Sequence, residues 1–97
     1  MKILALDKPL PGITMEHILP HLHEEALHAW EMYKSGITRE LYMRGDRPGA
    51  ALILECNSIE EAKAHLAGLP LVKFNLIEFE LIPLQPFSPF EKLFQQK

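Results

Sequence analysis

A β-hairpin lies in the middle of the sequence and strongly limits the folds that the chain can adopt. Residues 37–44 (ITRELYMR) alternate as in a strand with two different faces. Residues 45–49 (GDRPG) are typical of a turn, and the apolar run 50–56 (AALILEC) is typical of a central strand. In the first strand, Ile37, Leu41 and Met43 share a face with Arg39, and the polar face comprises Thr38, Glu40, Tyr42 and Arg44.

A helical pattern precedes the hairpin. Residues 14–35 predict a helix with Thr14 as N-cap and Gly36 directly after its end. Because Pro20 removes a backbone hydrogen bond, the helix either begins near Leu19 or is kinked at Pro20. At helical spacing one apolar face is expected to pack on a sheet, and it comprises Ile18, Leu22, Ala26, Ala29, Trp30 and Tyr33.

A second helical pattern follows the hairpin. Ser58 as N-cap and Glu61 three residues later form a capping box, and the helix is expected to end near Gly68. Residues 69–71 (LPL) predict a break between this helix and the strand that follows it.

Apolar runs at both ends complete the sheet. Residues 1–7 predict a first strand, and residues 73–82 predict a last strand with Glu78 and Glu80 on one face. The order β-α-β-β-α-β is the split βαβ pattern of ferredoxin-like domains. We therefore expect one α+β domain over residues 1–82, with two helices on one face of an antiparallel sheet.

Residues 83–97 form a tail after this domain. A short helix over residues 89–95, capped by Ser88, is predicted within it. Its apolar side chains are expected to pack on the parent domain or on a neighbouring subunit, and they are Phe87, Phe90, Leu93 and Phe94.

Composition narrows the class of protein. A chain of 97 residues makes one domain, and its 47% hydrophobic content exceeds what a small core needs, which favours a homodimer or a larger homo-oligomer. The net charge is −3 and the basic residues are scattered, so neither nucleic acid nor a membrane surface is an expected partner. Cys56 is the single cysteine and is interpreted as a small buried hydrophobe. We expect a cytoplasmic protein, because no secretory or membrane-spanning pattern is present.

Three histidines, His17, His21 and His28, follow one side of the first helix, with Glu24 beside them. The spacing of His17 and His21 suits two ligands of one metal ion. Since the stripe lies opposite the apolar face, we interpret it as solvated and predict no metal site. A metal-dependent redox protein remains the weaker alternative. No phosphate-binding loop or dinucleotide motif occurs, so no cofactor is predicted.

The chain resembles the muconolactone isomerase family from about residue 14 to residue 86 without gaps. The motifs that carry the resemblance are Ser58-Ile59-Glu60-Glu61, Leu66, Leu69-Pro70-Leu71, Gly36 with Arg39 and Leu41, and Glu78. The resemblance implies ferredoxin-like protomers that pair through their sheets, as in a dimeric α/β barrel. It also implies movement of a double bond in an unsaturated lactone by proton transfer.

The polar sheet face is the candidate site. Glu40 or Glu78 would move the proton, since a carboxylate in an enclosed pocket has a raised pKa. Arg39 or Arg44 would hold the charge of a small-molecule substrate, and Tyr42 would donate a hydrogen bond to a developing oxyanion. The alternative is a module of the same fold without catalysis, in which these groups form ion pairs across the strands.

Overall fold

The computed structural model describes residues 1–95 and shows the predicted order of strands and helices. The strands are β1 (Lys2–Pro9), β2 (Thr38–Met43), β3 (Ala50–Glu55) and β4 (Ile77–Leu84). The helices are α1 (Met15–Ile18), α2 (Leu22–Lys34), α3 (Ile59–Leu66) and α4 (Pro70–Lys73). Short 3₁₀ segments lie at Leu19–His21 and Ser88–Phe94. Gln96 and Lys97, which the tail prediction includes, lie outside the described residues.

The strands form a single antiparallel sheet in the order β2-β3-β1-β4. On the central strands, Ala5 lies opposite Leu52 of β3 and Leu81 of β4. The helices cover the face that carries these residues, because Met32 of α2 and Leu66 of α3 belong to the same buried cluster. The other face of the sheet is called the open face below. The predicted ferredoxin-like α+β fold is confirmed.

The first helix is interrupted at Pro20. The 3₁₀ segment Leu19–His21 separates α1 from α2, as the kinked alternative predicts. Three residues at the tighter 3₁₀ pitch rotate the following helix by about 60° relative to a continuous α-helix. The expected buried face is therefore wrong in its second half. Met32 is buried, whereas Trp30 and Tyr33 are 54% and 47% exposed.

A β-bulge changes the faces of β2. Thr38 lies opposite Leu54, but Glu40 lies opposite Ile53, so Arg39 is an extra residue between them. The prediction that Thr38 shares a face with Glu40 is wrong for this reason. Thr38 instead lies on the helix-covered face, 1% exposed, and its hydroxyl has no hydrogen-bond partner among residues 1–95.

The last strand begins later than predicted. Pro70 opens α4 where a break was expected, and the turn after it includes Asn75 with a φ of 58°. β4 therefore begins at Ile77, although residue 73 was predicted as its start. The alternation within β4 agrees with the prediction, since Glu78 and Glu80 are exposed between the more buried residues of the other face.

The tail extends away from the domain. The described chain is 61 Å long and has a radius of gyration of 16.1 Å, against about 12.5 Å for a compact domain of this length. The aromatic side chains of the tail are exposed, with Phe94 at 81%. Ser88 does not cap the 3₁₀ segment as predicted, because Phe87 occupies the N-cap position. Packing of the tail on a neighbouring subunit stays a prediction.

None of the helices described between residues 1 and 95 is long and apolar enough to cross a membrane. Cys56 is buried at the end of β3, and burial raises the pKa of its thiol, as expected for a structural cysteine.

Candidate functional site

Two adjoining hollows lie between the first helical segments and the sheet. They have volumes of about 310 and 360 Å³, which lie within the range of small-molecule pockets. We call the two hollows together the helix cleft. The residues common to both are Asp7, Leu22, Glu25, Met43 and Ala50.

The helix cleft has an apolar lining with two carboxyl groups. Asp7 and Glu25 are the charged residues of the lining, and among residues 1–95 no lysine, arginine or histidine belongs to it. Tyr42 also borders the cleft, although its side chain lies on the open face. The remaining lining residues are mainly aliphatic side chains from the helices and the sheet, such as Leu22 and Met43. The cleft is open to solvent, since Leu22 is 41% and Met43 78% exposed.

Asp7 is held at the end of β1 on the helix-covered face and is only 7% exposed. Its Oδ1 accepts a hydrogen bond of 2.9 Å from the backbone amide of Ala50. Burial raises the pKa of this carboxyl, while the Ala50 hydrogen bond and the positive charge of Arg44 lower it. The net shift is upward, so Asp7 holds a proton at higher pH than an ordinary aspartate.

Glu25, in the first turn of α2, lines both hollows together with Asp7. Its Oε1 accepts a hydrogen bond of 2.9 Å from the backbone amide of Leu71, at the start of α4. Burial is the main cause that raises the pKa of Glu25, and the charge of Asp7 raises it further. The Leu71 hydrogen bond acts in the opposite direction.

Burial is the main cause that raises the pKa of both carboxyls, and the charge of Asp7 adds to it at Glu25. An ionised Asp7 therefore makes Glu25 retain its proton more strongly, which suits Asp7 to act as a base and Glu25 as an acid. The backbone hydrogen bonds engage Oδ1 of Asp7 and Oε1 of Glu25, which leaves the second oxygen of each carboxyl for a ligand. This pairing suits proton transfer.

The predicted site residues form two separate groups on the open face. Tyr42 and Glu40 make up the first group, on the edge strand β2. The Tyr42 hydroxyl donates a 2.7 Å hydrogen bond to Oε1 of Glu40, and this bond raises the pKa of Tyr42. Arg39 lies at the bulge, and its Nε donates to the carbonyl oxygen of Gly36 at 2.7 Å.

The second group lies at the far edge of the sheet and at one end of it. Arg44, Glu78 and Glu80 line a hollow of about 340 Å³ together with Lys8 and Arg47. Nζ of Lys8 lies 3.6 Å from Oε1 of Glu78. The guanidinium of Arg44 donates to both oxygens of Asp46, at 3.0 and 2.8 Å, and lowers the pKa of Asp46 to about 2.

Because β2 and β4 are opposite edges of the sheet, the structure does not bring Glu40 and Glu78 together within one chain. A catalytic role of Glu40, Glu78, Tyr42, Arg39 or Arg44 stays a prediction.

The histidine stripe has local structural contacts. Nδ1 of His17 accepts a 3.0 Å hydrogen bond from the backbone amide of Thr14, at the start of α1. The ring of His21 stacks on Phe74, with 4.7 Å between the ring centres. Within residues 1–95, no group of three or more histidine, cysteine or acidic residues is placed to hold a metal ion. These contacts give no support to the metal-dependent alternative.

Sequence reasoning missed Asp7 and Glu25, although a signal for each was present. Asp7 lies two residues after Ala5 and four after Ile3, in phase with the buried side chains of β1. Glu25 lies four residues before Ala29 and seven before Met32, in phase with the buried side of α2. A carboxyl group in phase with buried positions is itself an indication of a site.

Solved structures share this fold. The 5-chloro-2-hydroxyhydroquinone dehydrochlorinase from Burkholderia phenoliruptrix AC1100, in complex with 2,5-dihydroxybenzoquinone, superposes with a TM-score of 0.67. It is 17% identical over 92% of this chain and 98% of its own. Muconolactone isomerase superposes with a TM-score of 0.63, at 19% identity, over 91% of this chain and 94% of its own. The chain therefore has the fold of muconolactone isomerase.

No protein-family model matches the sequence, and no curated protein matches it.

Proposed function

We propose that the protein is a small-molecule enzyme that moves a double bond in an unsaturated lactone or acid by proton transfer, without a cofactor. The observation that carries this proposal is the pair of carboxyl groups, Asp7 and Glu25, with raised pKa values in an apolar cleft. The names of both structural neighbours support a small-molecule enzyme, since one is an isomerase and the other a dehydrochlorinase.

The proposed step conserves atoms and electrons. The ionised carboxyl removes a proton from a carbon next to the conjugated system, and the C–H electron pair becomes a new C=C bond. The protonated carboxyl donates its proton to the carbon at the other end of the system, where the old C=C bond is lost. General acid–base catalysis of this kind contributes about 10²- to 10⁴-fold to a rate.

The test is turnover of two lactones, muconolactone and the uncharged α-angelica lactone, followed by ultraviolet absorbance. We expect the wild type to isomerise at least one of them. Asp7→Asn and Glu25→Gln should each lower kcat by about 100-fold or more, because an amide cannot exchange the proton.

Glu40→Gln and Glu78→Gln are the matched controls, since both carboxyl groups lie on the open face. If they retain activity while the cleft variants lose it, the helix cleft is the active site. The reverse pattern would move catalysis to the open face. Absence of turnover of both lactones by the wild type would contradict lactone isomerisation.

We also propose that the protein acts as a homodimer or a larger homo-oligomer in the cytoplasm. The open face carries aliphatic side chains that the helices do not cover, such as Ile82 of β4, and the aromatic tail is exposed as well. Apolar surface of this extent favours burial against a second copy. The single buried cysteine is consistent with a reducing compartment.

A further inference from the structure

We infer that Arg44 is a positioning residue of the helix cleft: from the open face it holds the end of β1 in place and makes Asp7, and not Glu25, the proton acceptor. The inference rests on the proposed function and assigns a separate role to each of the two carboxyl groups. Arg44 acts through Asp7 and does not contact the substrate, because it does not line the cleft.

The hairpin holds Asp7 at three points. Nη1 of Arg44 donates a 3.3 Å hydrogen bond to the backbone carbonyl oxygen of Asp7, and the amide of Ala50 donates to its Oδ1 at 2.9 Å. Gly49 lies so close to the same carbonyl oxygen that a Cβ atom would overlap it. The pairing of β1 with β3 ends at Leu6. The guanidinium therefore holds β1 one residue beyond the end of this pairing.

Arg44 is itself held in one orientation. Its Nε and Nη2 donate to the two carboxylate oxygens of Asp46, at 3.0 and 2.8 Å. Its backbone amide donates to the carbonyl oxygen of Gly49 at 2.8 Å, and its side chain is only 16% exposed. A bidentate pair with a carboxylate fixes the plane of a guanidinium. Nη1, the remaining nitrogen, is the one that reaches Asp7.

The positive charge of Arg44 distinguishes the two carboxyls of the cleft. It favours the ionised form of Asp7 and lowers the pKa of that group, against the effect of burial. The pKa of Glu25 is raised by burial and by the charge of Asp7, and the only opposing cause is the Leu71 amide. We therefore expect Asp7 to lose its proton first, while Glu25 keeps its proton and acts as the acid.

Other charged groups near Asp7 lie on the open face. Lys8 follows it in β1, and Glu80 lies on the neighbouring strand β4. The hydrogen bond to Asp46 raises the pKa of Arg44, and the charges of Asp7 and Glu80 add to this effect. The guanidinium is therefore charged at every pH at which Asp7 titrates.

The experiment follows the ionisation of both carboxyls by ¹³C NMR of their side-chain carbons in the full chain. In the wild type, Asp7 should ionise at lower pH than Glu25. At the pH where wild-type Asp7 is half ionised, Arg44→Gln should lower its ionised fraction about twofold or more, because the positive charge is gone. Arg44→Lys keeps the charge and should restore part of this loss.

Arg47→Gln is the matched control. Arg47 carries the same charge three residues further along the hairpin and lines the same hollow on the open face. Among residues 1–95 it donates no hydrogen bond to Asp7, which is held by Arg44 and Ala50. The ionised fraction of Asp7 should therefore stay close to that of the wild type.

Lactone turnover gives a second readout. The acidic limb of the pH profile of kcat/KM reports the essential base of the free enzyme. This limb should move to higher pH in Arg44→Gln and return toward the wild-type position in Arg44→Lys. A residue with a structural role alone would lower turnover at every pH without moving the limb.

The inference is overturned if Glu25 ionises before Asp7 in the wild type, if Arg44→Gln leaves the Asp7 titration unchanged, or if Arg47→Gln moves it equally far. These outcomes are measured by NMR and need no turnover. The expected titrations without turnover of either lactone would remove the proposed function and leave the effect of Arg44 on Asp7 in place. Turnover that depends on both carboxyls, with an Asp7 titration independent of Arg44, would do the opposite.

Discussion

At the scale of a single residue, Gly49 determines the position of Asp7. It ends the hairpin turn with a φ of +140°, and a Cβ atom there would overlap the carbonyl oxygen of Asp7 and lie 2.6 Å from its Oδ1. Glycine is therefore required both by the backbone conformation and by the close approach of β1. The next residue, Ala50, donates the hydrogen bond that holds the carboxyl.

We expect Gly49→Ala to lower the free energy of unfolding by about 2 kcal/mol, because of backbone strain and the displacement of Asp7. It should also lower lactone turnover. Gly45→Ala, in the same turn, is the control, since a Cβ atom at Gly45 meets nothing within 4 Å. Its effect should stay within about 0.5 kcal/mol. Urea unfolding measures both, and equal losses in the two variants would contradict the role of Gly49.

The candidate site was less predictable than the fold, and Asp7 and Glu25 show why. A carboxyl group in a sequence is assigned to solvent by default, because an unpaired buried charge is costly. The partners that make burial of these two possible are backbone amides 43 and 46 residues away in the chain. The pattern of side chains in the sequence does not indicate which distant backbone amides will donate hydrogen bonds to these carboxyls.

At the scale of elements, α3 was the most predictable. The Ser58 side chain accepts a hydrogen bond of 3.1 Å from the amide of Glu61, as the capping box requires. Glu61 Oε2 in turn accepts from the amide of Asn57 at 2.8 Å, one residue before the N-cap position at which its bond was expected. Local interactions determined this helix, and local sequence therefore predicts it.

Ser58→Ala should destabilise the protein by about 1 kcal/mol through loss of this cap. Ser88→Ala is the matched control, because Ser88 caps nothing in the 3₁₀ segment of the tail. The midpoint of urea unfolding for the two variants tests the difference. A Ser88→Ala loss as large as that of Ser58→Ala would contradict it.

Elements determined by packing were predicted less well. The bulge at Arg39 puts Thr38 out of phase with the residues after it, so Thr38 was assigned to the wrong face. The 3₁₀ segment around Pro20 shifts the phase of the helix that follows, so Trp30 and Tyr33 were assigned to the wrong surface. A one-residue change of register exchanges both faces of a strand. Alternation alone cannot locate such a residue when the flanking pattern is otherwise regular.

At the scale of the whole molecule, stability should depend on pH through the cleft. The folded-state pKa values of Asp7 and Glu25 are raised above 3.8 and 4.5. Folding therefore favours their protonated forms. The stabilisation of the folded state that the two groups provide is fully present below 3.8 and 4.5, and it is lost as pH rises through the folded-state pKa values. Wild-type stability should fall relative to Asp7→Asn/Glu25→Gln between pH 4 and pH 7.

Urea unfolding of the wild type and of Asp7→Asn/Glu25→Gln between pH 4 and pH 7 measures this difference in the free energy of unfolding. Asp46→Asn is the control, since the pKa of Asp46 is lowered to about 2 and its contribution is lost only as pH falls below 3.8. Its difference from wild type should be nearly constant between pH 5 and pH 7, where Asp46 is ionised in both the folded and the unfolded state. A constant difference for the double variant as well would contradict burial of the two carboxyl groups.

The uncovered open face and the projecting tail predict self-association. The mass in solution should be at least twice the 11.1 kDa of one chain, as measured by light scattering at micromolar concentration. Ile82→Glu should lower the mass, since it places a charge on the open face. A monomeric wild type would contradict the homo-oligomer.

The two hydrogen bonds that hold the cleft carboxyls also make the backbone a spectroscopic reporter. The backbone amide of Ala50 donates its hydrogen bond to Oδ1 of Asp7, and that of Leu71 donates to Oε1 of Glu25. An amide resonance moves when the carboxyl that it contacts gains or loses a proton. Each of these two resonances therefore follows one acid in the unmodified protein. The chemical shifts of these two amides in a ¹⁵N spectrum therefore report the order in which the two carboxyls lose their protons. They also report how that order changes when a ligand binds.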